Sequence, residues 1–263
     1  MKKIVCLGDN CVDFYDETGE AFFGGNPVNV AVYLSRLGRK ASYIGAVGTD
    51  DFGRQLLDAV SEKGVDVSHV QVLEGKTALT HVTVRDGDRI FGDYDEGVME
   101  DFKLRKEDIP FILSHAAAVT GLWGHCGGNL EQIRRAGVLN VFDCADRPED
   151  EAAAAAIPHS DIIFYSDSAD EEEKVRQRLI RLNHMQGHGI IVATRGAKGS
   201  LAYDGIDFFS CGIIECKVED TMGAGDSFIA GFLDAYLKGG MIQECMKAGA
   251  ECSAVTLGYS GAW

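Results

Sequence analysis

Residues 220–232 read DTMGAGDSFIAGF, placing three small residues and a carboxylate directly ahead of an apolar run. One reading is local: Gly223, Ala224 and Gly225 make a tight turn, and Asp226 caps the following helix by accepting its unpaired backbone N–H groups. The other is chemical. Small residues leave those N–H groups bare toward an incoming anion, the positive end of the helix adds to the attraction, and a neighbouring carboxylate takes a proton. The stretch by itself leaves both open. Other residues with chemical potential lie elsewhere. Asp9 and Asp13 follow a short apolar run, Asn29 lies in GGNPVNVAVYLSRLG, and a glycine turn, ATRGAKGS, carries Thr194, Arg195, Gly196, Lys198 and Gly199. His184 and His188 are four apart, but Gly187 and Gly189 interrupt the helix they would share and no third metal ligand follows.

The elements that must position these groups alternate between strand and helix. IVCLG (residues 4–8) is a buried strand that delivers Asp9 and Asp13 to a loop. Next comes a helix with Asn26 as its cap, Pro27 at its first position, Val30, Leu34 and Leu37 recurring along it, and Gly38 at its end. ASYIGAVG (41–48) reads as one strand, and 50–64 as a helix with Phe52, Leu56, Leu57 and Val60 on one face. AAVTG, VLNVFDC, DIIFYS and GIIVATRG read as later strands, and EAAAAAIP as a short helix ended before Pro158. Two closing helices run from about Ser227 to Leu237 and from Met241 onward. Apolar strands alternating with helices predict an α/β fold with a largely parallel sheet covered on both faces. One segment breaks the rhythm: TALTHVTVRDGDRIFGDYDEG alternates with period two around Asp86-Gly87-Asp88, a hairpin signature. With Phe14–Phe23 as partner strand it predicts a small β-lid from two pieces, about 12–24 and 76–96, within a single domain over 1–263.

Composition narrows the partners. The chain has 263 residues, 46% of them hydrophobic, enough for one sizeable core. Its 25 Lys+Arg against 41 Asp+Glu give a net charge of −16, which argues against nucleic acid and anionic membranes as partners. The first apolar run is broken at Gly8-Asp9-Asn10, too short for a signal-peptide core, and no stretch is suited to span a bilayer. The 8 cysteines form no C-x-x-C pair and read as reduced thiols, so a cytoplasmic location is expected.

Among phosphate-binding devices, no G-x-x-x-x-G-K-[ST] occurs. GAGDSF has Phe228 where a dinucleotide fingerprint needs its third glycine, and H-R-D and D-F-G are absent. GGNPVNVAVYLSRLG and DTMGAGDSFIAGF instead resemble the two signatures of the ribokinase-like (PfkB-type) carbohydrate kinases, with similar order and length over nearly the whole chain. The resemblance implies a three-layer α/β/α sandwich with a small β-sheet lid, and an ATP- and Mg2+-dependent phosphotransferase, with K+ as a further ion. Asp226 would be the base and the amides of Gly223, Ala224 and Gly225 the anion hole. Asp13, Gly25 and Asn29 would meet the sugar, Thr194, Gly196 and Gly199 the triphosphate, and Asp220 a monovalent cation.

Within the family, GDNCVD, FGDYDEGVM, WGH and the final GAW are similar to kinases of fructoselysine, whose 6-hydroxyl would be the acceptor. In those stretches Tyr94, Trp123 and His125 would line the sugar pocket. Asp93, Asp95 and Glu96, around Tyr94, would receive the substrate's secondary ammonium. The family's Asn-x-x-Glu motif is absent after DIIFYS; Asp167 and Asp170, with the same spacing, are the stand-ins for the magnesium environment, against the reading of an acidic helix start. The remaining alternatives are a kinase of another ketose or a nucleoside, and a sugar or nucleotide sensor without catalysis, against which Asp226 argues. Free lid edges predict a homodimer.

Overall fold

The computed structural model describes residues 2–85 and 88–263, with backbone only at 84, 85, 88–91 and 93. Asp86 and Gly87 of the predicted turn, and the side chain of Asp93, lie outside the described residues.

The chain opens with β1 (Ile4–Leu7), β2 (Cys11–Tyr15), β3 (Ala21–Gly24), α1 (Asn26–Arg36), β4 (Ala41–Ile44), β5 (Ala46–Gly48), α2 (Asp51–Glu62) and β6 (Gln71–Leu73). β7 (Leu79–Arg85), β8 (Asp88–Asp95), α3 (Asp108–Leu113), β9 (Ala117–Gly121), α4 (Leu130–Arg135) and β10 (Leu139–Asp143) follow. The last part holds α5 (Glu151–Ala156), β11 (Ile162–Ser166), α6 (Glu172–Gln186), β12 (Ile190–Thr194), β13 (Ser200–Tyr203), β14 (Phe208–Cys211), α7 (Ala224–Leu237) and α8 (Ile242–Thr256).

Eight strands form the main sheet in the order β14-β13-β12-β11-β10-β9-β1-β4. Those from β12 to β4 run parallel, and β13 and β14 join antiparallel at one edge. Successive residues of β1 point to opposite sides. Ile4 and Cys6 enter a core with Val30 and Leu34 of α1, Phe232 of α7 and Met246 of α8. Val5 and Leu7 enter another with Ile112 of α3 and Ile133 of α4, and further along that face Ile163 and Tyr165 pack on Val175 and Leu179 of α6. Helices thus cover both faces, which is why β1, β4 and β9 are buried along their whole length without alternation.

A second, four-stranded sheet has the order β3-β2-β7-β8, with β2 and β7 parallel and the other pairs antiparallel. The stretch read as one partner strand is two, joined by a turn in which Tyr15 N–H donates to Glu20 O and Gly19 N–H to Tyr15 O. Residues 41–48 also divide, at Gly45, where a Cβ would lie 2.0 Å from Tyr43 Oη and 2.4 Å from Gly8 O. The chain bends there, and β5 leaves the main sheet to pair with β6.

Candidate active site

The carboxyl ends of parallel strands are where open α/β sheets place their ligands. Here β1 delivers Asp9, β10 ends in Asp143 and β12 ends in Thr194. Opposite them stands the first turn of α7 with Asp226.

Asp226 does not cap its own helix. Its Oδ1 accepts from Asn26 Nδ2 at 2.7 Å and its Oδ2 from Asn29 Nδ2 at 2.7 Å, both across to α1. Asn26 is not a cap either: Gly25 takes that place, and the Asn26 amide reaches outward, donating also to Asp143 Oδ2 at 2.8 Å. The Asn26 backbone N–H donates to Asp9 Oδ2 at 3.3 Å. The start of α1 therefore sits among three carboxylates, and two amides are their main polar partners.

This crowding shifts all three. Burial raises the Asp226 pKa to about 6, with the Asn29 and Asn26 donors pulling it back. Burial raises Asp143 to about 7, and the Asp226 charge adds to the rise. Burial likewise brings Asp9 to about 7 against the favourable backbone N–H groups around it. A carboxylate near 6 is ionised at neutral pH and a stronger base than an exposed one, which suits proton abstraction.

Of the three amides expected to form an anion hole, that of Ala224 is engaged within the turn. Gly223 is the cap of α7 at φ 73°, and a Cβ there would lie 2.4 Å from Tyr33 Oη, so only glycine fits. The Ala224 N–H is turned back to Thr221 O at 3.3 Å. The first-turn amides of Gly225 and Asp226 remain without an earlier helical carbonyl, and a Cβ on Gly225 would meet no atom within 4 Å. Asp220 holds the loop, its Oδ1 accepting from Met222 N–H at 3.0 Å and its Oδ2 from Gly261 N–H at 2.7 Å.

Thr194, Gly196, Gly199, Ala224 and Gly225 line one cleft of about 900 Å³, together with Asp143. Sequence reasoning missed its apolar wall of Ile213, Phe228, Ala250 and Leu257, which suits a nucleobase; the paired hydrophobics of GIIECKV were the available signal. Arg195 and Lys198 do not serve as free cations here, since they pair with Glu172 and Asp170. Asp167 is buried, and its Oδ2 accepts from Arg178 Nη1 at 2.5 Å. The Asp167 and Asp170 pair is thus engaged in two separate ion pairs, and neither carboxylate belongs to the cleft lining. Among the described residues no group of three or more His, Cys, Asp or Glu is placed to hold a metal.

Among the residues expected to meet the sugar, Asn29 is buried, and its Oδ1 accepts from Trp263 Nε1 at 2.8 Å. Asp13 lies on β2 with Cys11 Sγ 3.5 Å away. Gly25, at φ 105°, is required by the fold itself, since a Cβ there would lie 2.5 Å from Asn10 Cα. Tyr94 on β8 and Trp123 are exposed. His125, in left-handed backbone at φ 52°, brings Nε2 to 3.3 Å from Glu96 Oε2. Asp95 is exposed and accepts from Gly97 N–H two residues on. Asp9, Asn26, Asp143 and Trp263 were not assigned to the site from sequence; a carboxylate at the end of a buried strand was the signal for Asp143.

A three-layer sandwich with this carboxylate, this helix start and this cleft at its strand ends defines a small-molecule kinase. The chain belongs to the pfkB family of carbohydrate kinases, whose match extends over residues 1–263. It is 41% identical over 263 residues to fructoselysine 6-kinase of Escherichia coli (strain K12), covering 100% of both chains. It is 33% identical over 266 residues to fructosamine kinase FrlD of Bacillus subtilis (strain 168), covering 99% of this chain and 93% of that one. The fold is that of Arabidopsis thaliana ribokinase, solved with ribose and ATP, at TM-score 0.91 and 19% identity over 99% of this chain and 94% of that one. The expected family and fold are borne out.

Proposed function

We propose that this carbohydrate kinase phosphorylates the 6-hydroxyl of fructoselysine or a closely related Amadori sugar at the expense of ATP. The observation that carries the substrate is the full-length 41% identity to fructoselysine 6-kinase. The reaction is supported by Asp226, held by two asparagines beside a helix start.

The residues of the chain divide the work. Asp226 Oδ accepts the proton of the 6-hydroxyl, and Asn26 and Asn29 aim the carboxylate. Amides of the Gly223–Asp226 turn, including Gly225, face the charge that develops on the transferred group, with Ala224 contributing if its turn bond opens. Asp13 and Asn29 hold sugar hydroxyls. Glu96, paired with His125 beside Tyr94 and Trp123, receives the secondary ammonium; Asp95 drops out of that role. Thr194, Gly196 and Gly199 hold the phosphates and the Phe228 wall the base. ATP bound in this cleft supplies the γ-phosphoryl group.

Magnesium accompanies the nucleotide in this reading, held largely by phosphate and water as is usual for that ion, and no residue pair of the chain is assigned to it. Asp220 shapes the loop at which K+ would act. The edges β3 and β8 of the small sheet are the proposed homodimer contact. No helix among the described residues is long and apolar enough to cross a membrane, in keeping with the proposed cytoplasmic setting.

The test is ADP release by the purified protein with ATP and magnesium, comparing fructoselysine, fructose, ribose and no sugar, in parent and Asp226→Asn. Fructoselysine-dependent turnover abolished by Asp226→Asn supports the proposal. Preference for another ketose or a nucleoside replaces the substrate. ATP binding without turnover on any sugar replaces the enzyme with a sensor, and an active Asp226→Asn removes Asp226 as the base.

A further inference from the structure

We propose that Trp263 is a positioning residue for phosphoryl transfer: its indole N–H fixes which end of the Asn29 amide faces Asp226. The inference rests on the reading of Asp226 as the base.

An asparagine amide has a donor end and an acceptor end of nearly equal size, and either orientation packs equally well. Asn29 lies between two one-sided partners. Ionised Asp226 only accepts, and its Oδ2 is 2.7 Å from Asn29 Nδ2. The Trp263 indole only donates, and its Nε1 is 2.8 Å from Asn29 Oδ1. Each partner alone disfavours the flipped amide, and together they leave one orientation. Asn29 is 6% exposed, so water is poorly placed to substitute for a lost partner. A Cβ on Gly24 would come 3.3 Å from Asn29 Oδ1, so the space around that oxygen is tight.

Trp263 is itself held by more than its indole N–H. The preceding residue, Ala262, offers its carbonyl to Tyr33 Oη and to Tyr259 Oη. Gly261 N–H donates to Asp220 Oδ2, and Lys63 Nζ lies 5.6 Å from the Trp263 ring centroid. A Cβ on Gly223 would be 3.2 Å from Ala262 Cα, so this segment also packs on the anion-hole turn. It touches both halves of the site, and the indole links it to the base through Asn29.

Without the indole donor, Asp226 alone opposes the flipped amide, and the flipped form gains population. A flipped amide would set Oδ1 against the carboxylate, favouring its protonated form. Asp226 faces Asn26, Asn29 and Tyr33 of α1, Cys6 of β1, Asp9 beyond it and Asp143 of β10. Of these groups only Asn29 is hydrogen-bonded to the Trp263 side chain, so a movement of the acid limb reports on Asn29.

The experiment is a double-mutant cycle of Trp263→Phe and Asn29→Ala, with kcat/KM followed against pH. Phe keeps a ring for Lys63 and removes the donor. Trp263→Phe is expected to lower kcat/KM about tenfold, the worth of one buried hydrogen bond to a group that orients a charge. It is also expected to move the acid limb upward, and to have no further effect in the Asn29→Ala background. Trp263→Leu, which loses the ring as well, is expected to behave the same in the cycle. A penalty of equal size with and without Asn29, a loss with an unmoved acid limb, or parental kcat/KM in Trp263→Phe would overturn the proposal. An active Asp226→Asn overturns the base reading itself, whereas an inactive one together with an uncoupled cycle overturns only the role of Trp263.

Discussion

Asn26 is the residue whose removal tests the carboxylate cluster most directly. Its Nδ2 donates to Asp226 at 2.7 Å and to Asp143 at 2.8 Å. A hydrogen bond to a charged group contributes about 1.5–3 kcal/mol, and about 1.4 kcal/mol corresponds to one pKa unit. Asn26→Ala should therefore raise Asp226 from about 6 by about one to two units. Asp143 loses the same donor and takes up a proton more readily, which relieves repulsion and holds the shift toward the lower end. The sign follows from the chemistry: the donor favours the ionised form, the base acts ionised, and so activity is lost on the acid side. Near pH 7 the ionised fraction drops from about nine-tenths to between about a half and a tenth, and near pH 9 it recovers. The assay is kcat/KM for the accepted sugar, by coupled ADP detection, from about pH 5.5 to about pH 9. A deficit of the same size at every pH would refute the reasoning and make Asn26 a substrate contact or a packing residue instead.

Four further outcomes follow from the geometry. Asp143 holds a proton more tightly folded than unfolded, its pKa being raised to about 7, so between about pH 4 and 7 its ionisation erodes stability as pH rises; Asp143→Asn should raise the melting temperature near pH 7.5 and change it little near pH 5, as read by scanning fluorimetry. Gly223→Ala should lose turnover and several degrees of melting temperature, because of φ 73° and the 2.4 Å approach to Tyr33 Oη. Gly225→Ala, open at its Cβ, should keep the melting temperature and lose turnover. Glu96→Gln should raise KM for fructoselysine several-fold more than for fructose, and equal losses on both would remove Glu96 from ammonium recognition.

Much of the frame was legible in the sequence because it is set by local pattern. Buried runs such as Ile4–Leu7 and Ile190–Thr194 have no polar alternative to strands in a covered sheet, and Pro27 and Gly38 bracket α1 as backbone preference dictates. The glycine-rich turn before α7 was equally readable. What escaped depends on residues far apart. Asn26 obeys the rule for a cap, yet its amide is drawn across the site by Asp143 and Asp226, 117 and 200 residues away. Gly25 has a reason that its own segment does not reveal, since a Cβ there would meet Asn10. Gly45 interrupts an apolar run that shows no change in composition, because the bend answers to Tyr43 and Gly8. The apolar wall of the cleft combines Ile213 with residues of α7 and α8, a juxtaposition that no single segment signals.

The span of those contacts also bears on how the protein is made. Asp226 is aligned by residues 197 and 200 positions earlier, and the indole that orients Asn29 lies 234 positions beyond it. Loops of this length close late, and early segments of a growing chain fold before their distant partners exist. β1 and α1 emerge from the ribosome with Asp9 and Asn26 in hand but with no aligned base. A nascent or truncated chain lacking α7 is therefore chemically silent, and the onset of turnover marks the moment when the two distant parts of the polypeptide have met.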